Sequence, residues 1–252
     1  MARTIFITGA SSGFGKACAE KFAATGDRLI LLARRKDRLQ SLADQLKSTY
    51  QTECLICAAD VRDQPLITQT IEQLPADWSR IDVLINNAGL ALGRDFFDEG
   101  NLSDWNTMID TNVKGLLYVA QAVAKKMSPH KQGHILNIGS IAGKEVYEKG
   151  NVYCATKFAV DAISKAMRID LLRHGIKVTA IHPGAAETEF SLVRFKGDAD
   201  TARQVYKGFT PLYAEDVANV ALYCAGLPAH VCINDLTLTC SQQGSSTHFQ
   251  KE

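Results

Sequence analysis

A tyrosine and a lysine lie four positions apart in the segment GNVYCATKFAV, between Gly150 and Val160. On a helix this spacing puts Tyr153 and Lys157 on one face, within reach of each other. A neighbouring ammonium stabilises a phenolate, so we expect the pKa of Tyr153 to lie below its usual value of about 10 and closer to neutrality. Such a phenol can exchange a proton with a substrate. A surface tyrosine beside a lysine gives the same pattern, so other features of the chain must separate the two interpretations.

Short aliphatic or β-branched runs recur along the chain, and each is followed by an amphipathic segment. This alternation predicts an α/β fold with a Rossmann-type, doubly wound parallel sheet, formed by residues 1–252 as a single domain. The predicted strands are RTIFIT, RLILLA, CLICAA, DVLINN, HILNIG, KVTAIH and LTLTC. The predicted helices are Gly13 to Ala24, Lys36 to Ser48, Arg62 to Leu74, Ser103 to Met127, Val152 to His174 and Ala214 to Gly226. Ligands of such sheets bind beyond the carboxyl ends of the strands, so the residues there are the candidates for a site.

The first predicted strand is followed by TGASSGFG, from Thr8 to Gly15. Glycines at this turn let the backbone approach a pyrophosphate, whose charge the helix N-terminus stabilises. The spacing differs from GxGxxG, and Ala17 follows Lys16 where a nucleotide triphosphatase loop needs Ser or Thr. A purely structural glycine turn is the alternative. The predicted cofactor contacts in this segment are Gly9, Ser11, Ser12, Gly13, Phe14 and Gly15.

Two arginines follow the second predicted strand, in LLARRKDR. An acidic residue at this place binds the ribose 2′-hydroxyl of NAD, whereas arginine accommodates the 2′-phosphate of NADP. Arg34 and Arg35 therefore predict NADP as the cofactor. The alternative is a solvated basic cluster at the start of a helix, to which we assign Lys36 and Arg38.

The ends of the later strands carry further candidates. Asp60, after the third strand, is placed to accept a hydrogen bond from the adenine amino group, and NNAG follows the fourth strand at the same sheet edge. Ser140 follows the fifth strand, close to the start of the helix that carries Tyr153. The predicted cofactor contacts from these strand ends are Asp60, Val61, Asn87, Ala88, Gly89, Pro183, Gly184 and Thr188.

Together these motifs resemble the short-chain dehydrogenase/reductase family over essentially the whole chain. The family's TGxxxGxG, NNAG, YxxxK and PGxxxT occur in order at Thr8 to Gly15, Asn86 to Gly89, Tyr153 to Lys157 and Pro183 to Thr188. The resemblance implies hydride transfer with a catalytic set of Asn112, Ser140, Tyr153 and Lys157.

The resemblance also implies a role for each member of that set. Tyr153 would transfer the proton, and Ser140 with Tyr153 would bind the substrate oxygen. Lys157 would lower the tyrosine pKa and hold the nicotinamide ribose, so both Tyr153 and Lys157 would contact the cofactor. Asn112 would retain a water that relays protons from Lys157 to solvent.

A narrower likeness is visible in NNAGLALG, DWNTMIDTN, EFSLVRFKGD and LPAHVCIN. These segments resemble the branch of NADP-dependent 3-hydroxy acid dehydrogenases that oxidise serine and allo-threonine and reduce malonic semialdehyde. The implied reaction is hydride transfer between a small 3-hydroxy acid, of the serine, allo-threonine or 3-hydroxypropionate type, and nicotinamide. The alternatives are a reductase of larger neutral carbonyls on the same fold and a non-catalytic NADP(H)-binding regulator.

The long connection after the sixth strand, at about residues 185–212, is predicted to be a substrate lid. One residue separates Arg194 from Lys196, so in an extended segment both side chains would face the same way. Because an arginine can hold a carboxylate through two hydrogen bonds, we expect Arg194, with Lys196, to anchor the substrate carboxylate. The alternative is a surface salt bridge to Asp198 or Asp200.

Composition and charge limit the class of protein. Lys+Arg 28 against Asp+Glu 27 gives a formal net charge of +1, so we expect no nucleic-acid partner. No apolar run approaches the roughly 18 residues of a membrane span and no leader pattern is present, so we expect a cytoplasmic protein without membrane contact. Seven scattered cysteines, including Cys54 and Cys57 on a predicted strand, indicate buried thiols and no metal site. The long helices before and around Tyr153 predict, by family resemblance, a homotetramer.

Overall fold

Residues 2–252, the part of the chain that the computed structural model describes, contain seven β-strands. These are β1 (Thr4–Thr8), β2 (Arg28–Ala33), β3 (Cys54–Ala58), β4 (Val83–Asn86), β5 (Gly133–Ile138), β6 (Ile176–Pro183) and β7 (Asp235–Leu238). They form one sheet in the order β3-β2-β1-β4-β5-β6-β7, and every neighbouring pair is parallel. The predicted doubly wound fold is confirmed. The strand order reverses between β1 and β4, which is where such sheets bind ligands.

Nine α-helices lie between the strands in the described part of the chain. They are α1 (Gly13–Ala24), α2 (Lys36–Tyr50), α3 (Gln64–Glu72), α4 (Leu102–Ile109), α5 (Leu116–Met127), α6 (Asn151–Asp170), α7 (Glu189–Arg194), α8 (Ala199–Gln204) and α9 (Ala214–Gly226). The single helix predicted for 103–127 is interrupted, because Asp110–Gly115 forms a π-helical turn between α4 and α5. The short helices α7 and α8 occupy the connection after β6, so the segment that ends at Arg194 is helical and not extended.

The core lies on both faces of the sheet because alternate apolar side chains of each strand point to opposite sides. In β1, Ile5 and Ile7 pack with α1, α2 and α9, whereas Phe6 packs with α3 and α5. Cys54 and Cys57 likewise belong to opposite layers, and all seven cysteines are free thiols. In the described residues, no helix combines the length and the apolar character that crossing a bilayer requires.

Candidate active site

Glycines shape the turn between β1 and α1. Gly9 has a φ of +65° and Gly13 a φ of +51°, a left-handed conformation that favours glycine. Gly15 lies within α1 and outside the cavity lining, and an added Cβ there would collide with the carbonyl oxygen of Gly9. Gly15 therefore allows α1 to pack closely against the turn. The N-terminus of α1 faces the sheet edge, as an anion site requires.

The carboxyl ends of the central strands surround a cavity of about 650 Å³. The cavity runs from Arg34 and Arg35, past the glycine turn and the NNAG segment, to Tyr153 and Arg194. Its volume lies in the range of cofactor and small-molecule sites. The predicted site residues that line it are Gly9, Ser11, Ser12, Gly13, Phe14, Arg34, Arg35, Asp60, Val61, Asn87, Ala88, Gly89, Ser140, Tyr153, Lys157, Pro183, Gly184, Thr188 and Arg194.

This lining fits a dinucleotide. At Gly9 an added Cβ would lie 2.8 Å from the side-chain nitrogen of Asn87, so the turn leaves no room for a larger residue beside the pyrophosphate position. Asn87 in turn donates to the carbonyl of Thr8 at 2.9 Å, and the Thr8 hydroxyl accepts from the backbone N–H groups of Asn87 and Ala88. These bonds hold the ends of β1 and β4 together at the point where the strand order reverses.

Arg34 and Arg35 have different surroundings at the outer end of the cavity. The Arg34 side chain is largely exposed, and its nearest carboxylate oxygen, on Asp60, is 4.0 Å away. Arg35 donates to the hydroxyls of Ser11 and Ser12 at 3.2 and 3.1 Å. Arg35 is therefore attached to the glycine turn, whereas Arg34 is available to a ligand.

Asp60 lines the cavity, but both of its carboxylate oxygens accept hydrogen bonds from Arg62, the shortest at 2.6 Å. Partial burial alone would raise the pKa of Asp60, yet the hydrogen bonds and charge of Arg62 hold that pKa below its ordinary value. The carboxylate is ionised and has more acceptor sites than Arg62 uses, so contact with an adenine amino group stays a prediction.

Ser140, Tyr153 and Lys157 come together at the inner end of the cavity. The Lys157 ammonium donates to the carbonyl of Ile138 at 3.0 Å and lies 5.9 Å from the ring centroid of Tyr153. Burial lowers the pKa of Lys157 to about 8, so the side chain is mostly protonated at neutral pH. The Ser140 hydroxyl accepts from the N–H of Ala142 at 3.1 Å, which orients it at the end of β5.

The pKa of Tyr153 departs from the sequence prediction. Burial raises it above its ordinary value, and Tyr147 adds to the increase. A hydrogen bond with Ser140 and the positive charge of Arg194 act in the opposite direction without outweighing burial. The prediction that Lys157 brings this pKa toward neutrality is therefore wrong here. The phenol is protonated at neutral pH, which is the form that can donate a proton to a carbonyl oxygen.

Asn112 lies in the π-helical turn and outside the cavity lining. Its amide nitrogen donates to the carbonyl of Leu90 at 2.8 Å and to the hydroxyl of Thr156 at 3.0 Å, and its Oδ1 accepts from the Leu90 N–H at 2.8 Å. An added Cβ at Gly89 would lie 3.3 Å from this Oδ1 and 3.7 Å from the Lys157 nitrogen. Asn112 thus fixes the segment after β4 close to Lys157, and its role in retaining a water stays a prediction.

A partly buried ionic cluster lies behind Ser140. The Nδ1 atom of His182 is 3.2 Å from the Ser140 carbonyl oxygen, and its Nε2 is 3.1 Å from a carboxylate oxygen of Asp235. The Lys144 ammonium donates to Asp161 at 2.8 Å and to Asp235 at 2.7 Å. Lys144 therefore supplies the positive charge between these two carboxylates, and the cluster supports the end of β5 from the side opposite to the cavity.

Arg194 lies at the inner end of the cavity, where the hydroxyl of Tyr147 holds its guanidinium. Arg194 donates to the hydroxyl of Tyr147 at 2.9 Å and to the carbonyl of Gly93 at 3.3 Å. Its guanidinium carbon lies 5.5 Å from the ring centroid of Tyr153, and the Phe190 ring packs 5.6 Å from the same centroid. The side chain predicted to bind a carboxylate is therefore directly beside the predicted proton donor.

Lys196 does not accompany Arg194. The segment is helical as far as Arg194, and Lys196 follows with a φ of +53°, so the two side chains diverge instead of sharing a face. Lys196 lies outside the cavity lining and pairs with Asp104 at 2.8 Å, which makes the expectation of a substrate contact wrong for this residue. The alternative for Arg194 is not realised either, because Asp198 instead caps α8 and accepts from the N–H of Asp200.

Three further cavity residues have no role predicted from the sequence, although one of them, Glu189, begins the segment EFSLVRFKGD. Tyr147 bonds Arg194, Glu189 bonds the basic cluster after β2, and Gln243 accepts from the N–H of Ala185 at 2.8 Å. Gln243 comes from the C-terminal segment, which also packs on the connection after β6. Each residue is brought to the cavity by tertiary contacts, and only Tyr147, which lies between Ser140 and Tyr153 in the sequence, has a position that could have suggested a role.

Comparison with known proteins agrees with this site. The family model for short chain dehydrogenase matches residues 3–198, and the chain belongs to this family of oxidoreductases. The chain is 45% identical to the NADP-dependent 3-hydroxy acid dehydrogenase YdfG of Salmonella typhi, over 97% of this chain and 98% of the relative. It is 43% identical to sulfoacetaldehyde reductase 2 of Chromohalobacter salexigens, over 98% and 97% of the two chains. The solved closed form of serine dehydrogenase complexed with NADP+ is similar with a TM-score of 0.93 and 42% identity, over 99% of each chain.

Proposed function

We propose that this protein is an NADP-dependent 3-hydroxy acid dehydrogenase acting on small substrates of the serine, allo-threonine or 3-hydroxypropionate type. The observation that carries the proposal is the position of Arg194, whose guanidinium carbon lies in the cavity 5.5 Å from the Tyr153 ring centroid. A carboxylate bound by Arg194 would leave the 3-hydroxyl, or the corresponding carbonyl, beside Ser140 and Tyr153. The substrates named for the relatives support this, since 3-hydroxy acids, serine and sulfoacetaldehyde all carry an anionic group two bonds from the reacting carbon.

The proposed cofactor is NADP(H), supported by Arg34 and Arg35 at the outer end of the cavity and by the NADP dependence of the relatives. Bound nicotinamide would supply the carbon that gives or accepts hydride and, when oxidised, a positive charge near Tyr153. Lys157, mostly protonated and deeply buried, would donate to the nicotinamide ribose. The arginines and Lys157 lie at opposite ends of the cavity, so they would fix the cofactor along its length.

Proton transfer follows from the state of Tyr153. In reduction, the protonated phenol donates to the carbonyl oxygen as hydride arrives at the carbon, and Ser140 holds that oxygen while charge develops. In oxidation the phenolate is the base, and the positive charge of Arg194 favours its formation. Residues 185–212 are proposed as the lid over this reaction, because α7 places Phe190 on the Tyr153 ring and Arg194 beside it.

Steady-state kinetics with matched substrates tests the proposal. Reduction of malonic semialdehyde and of the neutral aldehyde propanal should be compared with NADPH, together with a larger neutral ketone and the oxidation of serine. We expect kcat/KM for malonic semialdehyde to exceed that for propanal by at least about 10-fold, the effect of one charge-assisted hydrogen bond. A higher kcat/KM for the larger neutral ketone would support the alternative reductase. Binding of NADPH without turnover of any of these substrates would support a non-catalytic regulator.

We also propose a homotetramer in the cytoplasm. Large apolar side chains are exposed on or just after helices α4 and α6, which supports burial of these helices by another copy. They are Leu102, Phe158, Ile169 and Leu172, exposed by 68%, 41%, 76% and 75%. The seven free thiols support a reducing compartment. Light scattering should give a mass four times 27.5 kDa, and a particle of 27.5 kDa at micromolar concentration would contradict the assembly.

A further inference from the structure

Glu189 connects the lid to the basic cluster at the outer end of the cavity. Its carboxylate accepts hydrogen bonds from Arg38 at 2.8 and 3.0 Å, and from both terminal nitrogens of Arg35 at 3.4 Å. Glu189 is the first residue of α7, the helix whose last residue is Arg194, and it lines the cavity. An acidic side chain from the substrate lid is therefore in contact with an arginine that the sequence assigns to the cofactor.

Arg35 is shared between two sets of partners. On one side it bonds the hydroxyls of Ser11 and Ser12 in the glycine turn, and on the other side it bonds Glu189. A phosphate on the adenosine ribose would need the same N–H donors of Arg35, since the guanidinium offers only a fixed fork of them. The phosphate carries a charge of the same sign as Glu189, so the two anions repel each other as well as competing for donors.

We propose that Glu189 is a specificity-determining residue that competes with the 2′-phosphate of NADP(H) for Arg35. The carboxylate holds the affinity for the phosphorylated cofactor below the value that Arg34 and Arg35 alone would give. Binding of the 2′-phosphate draws Arg35 away from Glu189 and leaves α7 attached to the basic cluster through Arg38, which links occupation of the cofactor site to the lid. The inference rests on the proposed NADP dependence.

The size of the effect follows from exposure. The side chains of Arg35, Glu189 and Arg38 are exposed by 41%, 44% and 45%, so solvent and salt screen their charges substantially. One carboxylate charge a few ångströms from a phosphate in such surroundings should change its affinity by roughly 3- to 10-fold. The effect should depend on the 2′-phosphate, because the rest of the cofactor has no need of Arg35.

Glu189→Gln tests the competition, because glutamine keeps the shape of the side chain and removes its charge. Glu187→Gln is the matched control, because it also removes one carboxylate charge. Glu187 is exposed, lies two residues from Glu189 and is outside the cavity lining. Isothermal titration calorimetry with adenosine 2′,5′-bisphosphate and with 5′-AMP measures binding without turnover, and the two probes differ only in the 2′-phosphate.

We expect Glu189→Gln to bind the bisphosphate roughly 3- to 10-fold more tightly than the wild type, with 5′-AMP affinity unchanged and Glu187→Gln within about twofold of the wild type for both probes. If the wild type prefers the bisphosphate to 5′-AMP and Glu189→Gln leaves that preference unchanged or reduces it, this inference is overturned but the proposed NADP dependence is not. An equal gain in Glu187→Gln would also overturn it, by showing a general charge effect. A wild type that binds both probes equally would overturn the NADP proposal, and this inference with it.

Discussion

Replacing Arg194 with glutamine should remove the substrate anchor while retaining a polar side chain of similar length. The guanidinium donates to Tyr147 and Gly93, which leaves part of its fork for a ligand. One charge-assisted hydrogen bond contributes about 1.5 to 3 kcal/mol, or roughly 10- to 150-fold in affinity. We therefore expect kcat/KM for malonic semialdehyde to fall by roughly 10²-fold on this basis.

The direction of the assay matters for this variant. The charge of Arg194 lowers the pKa of Tyr153, so its removal raises that pKa further and would slow oxidation of any alcohol. Reduction at neutral pH uses the phenol in the protonated form that it already has, so it isolates the loss of the anchor. Propanal, which lacks the carboxylate, should then be reduced at nearly the wild-type kcat/KM.

Arg203→Gln is the matched control for Arg194→Gln. Arg203 is an arginine of the same connection, largely exposed and paired with Asp200, and it does not line the cavity. Its replacement should leave both aldehydes within about twofold of the wild type. Equal losses for malonic semialdehyde and propanal in Arg194→Gln would indicate a displaced lid, and no loss for either would refute the assignment of Arg194 as the anchor.

Four further outcomes are expected. Tyr153→Phe should bind NADPH as the wild type does but lower kcat by at least about 10²-fold, and wild-type turnover would contradict its role as proton donor. Lys157→Met should weaken NADPH binding and lower kcat without lowering the melting temperature, because burial lowers the pKa of Lys157 to about 8 and its charge is therefore unfavourable to the folded state at neutral pH. For the same reason the wild-type affinity for NADPH should fall as pH rises through about 8, where Lys157 loses its proton, and Lys157→Arg should flatten that titration. Replacing Arg34 and Arg35 together with alanine should weaken NADPH by at least about 10-fold and leave NADH unchanged, as fluorescence titration can check.

The sheet and the inner part of the site could be predicted because local patterns determine them. Apolar runs such as RLILLA form buried parallel strands, and the glycine turn and the Tyr153 to Lys157 spacing carry their chemistry in a few adjacent residues. Family membership and the NADP-type cofactor, expected from these motifs, agree with the family model and the NADP-dependent relatives.

The lid and the electrostatics could not be predicted in the same way. Lys196 is directed away from the cavity by the end of α7 and a left-handed residue, and Asp104, distant in sequence, binds it. The pKa of Tyr153 depends on how completely neighbouring segments bury the ring, which the Lys157 spacing does not report. No role for Glu189 follows from the sequence alone, because only the folded chain brings it to Arg35.

The most direct test of the proposed reaction follows the hydride itself. NADPH carrying deuterium at both C4 positions is incubated with malonic semialdehyde and the protein, and the 3-hydroxypropionate is analysed by mass spectrometry. We expect a product one mass unit heavier, with the deuterium on C3, formed by the wild type and essentially not by Tyr153→Phe. Unlabelled product, or labelled product formed equally fast by Tyr153→Phe, would contradict it.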